Sequence, residues 1–121
     1  MKPIIIKNNK FLRSISLFMN IGGISLWPFI IIRSDYSIKK EEKLIRHETI
    51  HFYQTLELLV LPFYMIYFLE WFLKSIYYRS TYKGYKAISF EVEANKYEED
   101  TSYLSNRKKY NWIQFIFKKN T

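Results

Sequence analysis

From Phe29 to Leu61 the chain contains neither glycine nor proline, so the residue types that most readily end a helix are missing from this stretch. Asp35 and Ser37 supply side-chain oxygens that suit a helix N-cap, and Glu41 and Glu42 favour the first turn that would follow. Leu44, Ile45, Phe52, Leu56, Leu59 and Val60 then recur at helical spacing. A helix from about 39 to 60, with one broad apolar face, is expected. Pro62 ends or kinks it, and "PFYMIYFLEWFLKSIYYR" continues as a second helix to about Tyr78. The apolar part of that segment, Leu58 to Leu69, lies between Glu57 and Glu70 and is too short to cross a bilayer. Gly84 marks a turn before a third helix, about Ala87 to Leu104. The aromatic segment "NWIQFIF" follows between Lys108, Lys109, Lys118 and Lys119, a pattern suited to a membrane surface.

The N-terminal third reads differently. Residues 15–32 carry no charge between Arg13 and Arg33, which meets the lower length limit of a spanning helix. Asn20, Gly22, Gly23, Ser25 and Pro28 fit a helix poorly. A turn at Gly22-Gly23 followed by a strand from Ile24 to Ile32, rich in β-branched and aromatic residues, suits them better. The expected fold is therefore α+β and mostly helical, with a short β-hairpin or edge strand at about 15–33 and three main helices. No small-residue cleavage site follows the apolar stretch, so no signal peptide is expected, and the location is read as cytoplasmic or membrane-associated.

With 121 residues the chain is the size of one domain, spanning 1–121. Hydrophobic residues at 49% argue against disorder, and aromatics at 20% suggest a surface that meets a membrane or a partner. The net charge of +8 favours anionic neighbours such as lipid headgroups or nucleic acid. Cysteine is absent, so any metal must be held by His, Glu or Asp.

The only histidines, His47 and His51, lie within the first helix as "HETIH". Four residues apart, they share a face and can direct two imidazole nitrogens at one ion. Glu48 stands beside them, where its carboxylate reaches a water on that ion. This is the H-E-x-x-H arrangement of zinc hydrolases, with the glutamate as general base. At this composition, roughly one random chain in a thousand would show it. A catalytic zinc takes a third protein ligand, which here must be a carboxylate. "SFEVEANKYEED" on the third helix offers Glu91 and Glu93. Two residues apart on a helix, they point to nearly opposite sides, so only one can face the metal.

H-E-x-x-H with a helical glutamate some tens of residues later resembles the gluzincin metallopeptidases, among them the thermolysin-like and integral-membrane prenyl-protein protease types. In those, the third ligand opens an E-x-x-x-D or E-x-x-A-D pattern whose aspartate braces a ligand histidine. Laid on "EVEAN", the resemblance implies Glu91 as ligand, ahead of Glu93, with Ala94 as the small residue and Asn95 as the brace. Asn95 departs from the pattern, since it adds no negative charge. The chain also resembles small bacterial proteins that combine an apolar strand ending in Arg, H-E-x-x-H-x-x-Q and F-E-x-E-A. Here these are "LWPFIIIR", "HETIHFYQ" with Gln54 beside the ligands, and "FEVEA". The likeness covers most of residues 22–100. It implies a minimal zincin-like fold that binds Zn2+ through His47, His51 and Glu91, and a peptidase acting on a peptide or protein at the edge of the Ile24–Ile32 strand.

Two other classes stay open on sequence. One is a non-catalytic zinc-binding or membrane-associated interaction module, in which the aromatic surfaces meet lipid or a partner. The other, ranked third, is a basic nucleic-acid binder built on "YYRSTYKGYK" at 77–86. The alternative for the histidines themselves is an exposed basic helix on which Glu48 pairs with Lys43 or Arg46. Oligomeric state has no sequence signature.

Overall fold

The computed structural model describes residues 2–7, 23–32 and 37–117. Residues 15–22 of the apolar segment and the expected capping residue Asp35 fall outside them. The fold is α+β and mostly helical, with a small sheet against one long helix and four shorter helices around it.

Strands β1 (Ile4–Lys7), β2 (Gly23–Leu26) and β3 (Phe29–Ile32) form a sheet in the order β1-β3-β2. The single strand expected over Ile24–Ile32 is in fact an antiparallel hairpin that turns at Trp27-Pro28 and pairs Gly23 with Ile32 and Leu26 with Phe29. Pro28 has no N–H to continue a ladder. The Trp27 N–H instead donates to the Tyr64 hydroxyl at 3.1 Å. β1 joins β3 in parallel, so β3 is central, and among the described residues β2 rather than Phe29–Ile32 keeps a free edge. Along β3, Ile30 and Ile32 are fully buried against Phe52 while Phe29 faces out, the alternation of a half-covered sheet.

Helix α1 (Ile38–Glu57) starts where Ser37 accepts a hydrogen bond from the Lys40 N–H. After it, Leu59 and Val60 have positive φ of 59° and 65°, and the Leu61 N–H reaches the Leu59 carbonyl at 2.8 Å. This γ-turn around Val60 is a tight, strained connection. It bends the path by 113° into α2 (Leu61–Tyr78). Pro62 occupies the first turn of α2, where its missing N–H has no helical partner to lose.

Gly84, expected at a turn, lies inside a further helix, α3 (Thr81–Ala87). A Cβ there would fall 2.6 Å from the Ser75 Cα, so the close crossing of α2 and α3 requires glycine. The helix expected over Ala87–Leu104 is divided into α4 (Ser89–Tyr97) and α5 (Tyr103–Asn106). Its start is set from α2: Glu70 accepts from the Ser89 N–H and hydroxyl, and Lys74 donates to the Ala87 carbonyl. Its end is set locally, where the Asp100 carboxylate accepts from the Ser102 N–H and hydroxyl. A 3-10 turn, Asn111–Phe115, brings Trp112 against Phe63, Ile88 and Phe90, while Ile50, Ala94 and Tyr103 join α1 to α4 and α5. Burying each large apolar side chain here contributes about 1.5–3 kcal/mol. Together they hold α4 along the flank of α1 that carries the histidines.

Candidate metal centre

His47 and His51 lie one turn apart on the buried flank of α1, with Glu48 buried beside them. Atoms of these three residues come within 4.8 Å of one another. Glu91, in the first turn of α4, closes the group: its Oε1 is 3.1 Å from His47 Nε2 and 3.2 Å from His51 Nε2. The two Nε2 atoms are themselves 3.2 Å apart.

The outer contacts decide what those three atoms carry. His47 Nδ1 is 2.6 Å from Glu98 Oε2, and a carboxylate only accepts, so this nitrogen bears a hydrogen. His51 Nδ1 is 2.7 Å from Gln54 Oε1. The Gln54 amide is oriented by its other end, where Nε2 donates to the Phe90 carbonyl and to Glu93, so its oxygen accepts from His51. With both Nδ1 atoms protonated, the neutral tautomers leave lone pairs on both Nε2 atoms, directed at each other and at a carboxylate oxygen. Three acceptors in mutual contact repel unless positive charge lies among them, as protons or as a metal ion. Tetrahedral zinc with bonds of about 2.0–2.1 Å spaces its ligand atoms roughly 3.3 Å apart, close to the triangle present here.

The electrostatics express the same demand. Burial would depress His47, but hydrogen bonds to Glu91 and Glu98 outweigh it and hold the imidazole up at about 10. Burial is also overcome at His51, which is raised by Glu91. Glu91 would be raised by burial, yet His51 and His47 keep it well below the usual carboxylate range. Glu48 shifts the other way: burial raises it, against the pull of both histidines. Among the described residues its carboxylate accepts no hydrogen bond. Two tyrosines complete the surroundings. The Tyr67 hydroxyl donates to Glu91 Oε2 at 2.6 Å, reserving Oε1 for the histidines. Tyr85 is kept protonated by burial and by the negative charge of Glu91 and Glu48.

Of the residues singled out in the sequence, His47, Glu48, His51, Glu91 and Gln54 come together. Glu93 does not join them; it is fully buried one layer away, held by Tyr103, Gln54 and the Nε and Nη2 groups of Arg107. Nor does Asn95 brace a ring, because Glu98 and Gln54 occupy both Nδ1 atoms. Glu98 follows Glu91 by seven residues, two helical turns on one face, and that spacing was a legible signal. Tyr67 and Tyr85 had none, being two of 11 tyrosines.

No protein-family model matches the chain, and no curated protein and no solved structure matches it.

Proposed function

We propose that this protein is a zinc-dependent metallohydrolase, most simply a peptidase, with His47, His51 and Glu91 as the ligand set and Glu48 as general base. The observation that carries the proposal is the triangle of three acceptor atoms, each 3.1–3.2 Å from the next. The carboxylate that the gluzincin pattern would put at Asn95 is supplied by Glu98, so the missing charge is made good from another position. Bound there, zinc would supply Lewis acidity and acidified water.

The chain's own groups then divide the work. Glu48, buried and without a hydrogen-bond partner among the described residues, takes the proton of the attacking water and delivers it to the departing nitrogen. Gly23 at the start of β2 brings the free edge beside the base, since a Cβ there would lie 3.6 Å from the Glu48 Cγ. An extended peptide can pair with that edge and present its carbonyl to the site.

The test is hydrolysis of fluorescently labelled unfolded protein by zinc-loaded wild type and by Glu48→Gln. Loss of about 10²–10⁴-fold in rate, with zinc content unchanged, is expected. Equal rates in the two proteins, or no hydrolysis by the loaded wild type, would overturn the assignment.

A further inference from the structure

Helix α2 buries only Phe63 completely, and its inward side carries Tyr67 to Glu91 and Glu70 to Ser89. The opposite side presents Leu61, Met65, Phe68, Leu69, Phe72 and Ile76, each half or more exposed. These recur at helical spacing along an element about 27 Å long. A soluble monomer rarely leaves so large a continuous apolar face open.

Charge indicates what covers it. Between Leu58 and Phe90 the sole carboxylate is Glu70, which is turned inward to Lys74 and Ser89. At the C-terminal end of the face stand exposed Arg79 and Lys83, with Tyr77 and Tyr82 beside them in sequence. At the other end, the Tyr110 N–H is tied to Glu57, the last residue of α1, which brings in the exposed pair Lys108 and Lys109. Cations thus flank both ends of an uncharged stripe. Two copies of this chain meeting face to face would set cation against cation in either orientation, a mismatch that disfavours pairing. An anionic bilayer surface satisfies both ends and the stripe at once. Among the described residues no single helix is long and apolar enough to cross a membrane.

We propose that the outer face of α2 seats this protein on anionic phospholipid, with Arg79, Lys83, Lys108 and Lys109 at the headgroups. The metal centre then lies behind α2, about one helix diameter from the lipid. This inference does not depend on the metal or on catalysis.

The chain has no cysteine, so Met65→Cys gives a single labelling site on the face, and Glu99→Cys gives one outside it. Each full-length variant, carrying an environment-sensitive fluorophore, is titrated with vesicles of phosphatidylcholine alone or mixed with phosphatidylglycerol. Binding to the anionic vesicles, with a blue shift at position 65 and none at 99, is expected. Arg79→Gln combined with Lys83→Gln should weaken partitioning about thirtyfold, from roughly 1 kcal/mol per cation at such a surface. No binding to anionic vesicles, binding without a shift at 65, or full retention in the charge variant would overturn the proposal. So would a blue shift at 65 that rises with protein concentration in the absence of lipid, which would mark a second copy as the occupant.

Discussion

Arg107→Ala should be among the most damaging single substitutions in this chain, although it lies outside the proposed metal centre. The guanidinium side chain is 5% exposed and is bonded on two sides. Nη1 and Nη2 donate to Glu57 at 2.8 and 3.0 Å, and Nε and Nη2 donate to Glu93 at 2.6 and 3.1 Å. Removing it leaves two carboxylates with little access to water and no cation, and breaking a buried pair this way costs about 3–5 kcal/mol. For a domain of this size, about 4 °C per kcal/mol converts that to a fall in Tm of roughly 12–20 °C. Differential scanning calorimetry measures it directly, with exposed Lys108→Ala as a control expected to stay within about 0.5 kcal/mol of wild type. The effect should also reach the site, because Glu93 holds the Gln54 amide that accepts from His51. A fall in Tm below about 4 °C would refute the reasoning, since it would mean that the two carboxylates find water or other partners.

Further substitutions and conditions separate the remaining parts of the account. Glu98→Gln should weaken zinc binding about 10–100-fold in competition with a chromophoric chelator, whereas Asn95→Ala should leave it nearly unchanged. In metal-stripped protein, His47 is raised from 6.5 to about 10, so its stabilising contribution is full below pH 6.5 and is lost as pH rises through about 10. Glu91 is lowered, so its contribution is present above about 4.5 and is lost as pH falls below it. Urea midpoints across this range should therefore form a plateau that falls on both sides, and a midpoint unchanged from pH 6.5 to beyond 10 would contradict the His47 contacts. Val60→Gly exchanges roughly 1–3 kcal/mol of backbone strain for about 0.5–1 kcal/mol of chain entropy, so urea denaturation should find the variant as stable as wild type or more so. A loss above about 1 kcal/mol would show that Val60 is not strained.

What the sequence disclosed was local. The capped run before Pro62 specified α1, and the four-residue spacing within it placed His47 and His51 on one flank. Glu91 stands at the histidines and Glu93 at Arg107, because helix geometry separates neighbours two apart. What stayed hidden depends on contacts distant in sequence. β1 is four residues whose side chains are all exposed, and only its parallel pairing to β3 makes it a strand. The break between α3 and α4 carries no proline, because Glu70 and Lys74 impose it from another helix. Arg107 reads as one of 19 basic residues until the fold brings it between Glu57 and Glu93.

The proposed function depends on one ion shared by His47, His51 and Glu91. Elemental analysis after zinc reconstitution and exhaustive dialysis, run on wild type, His51→Ala, Glu91→Ala and Glu48→Gln, tests it most directly. Near-equimolar zinc is expected in wild type and Glu48→Gln, with its loss in His51→Ala and Glu91→Ala while circular dichroism shows both still folded. Zinc absent from the reconstituted wild type, or retained at full stoichiometry by Glu91→Ala, would contradict it.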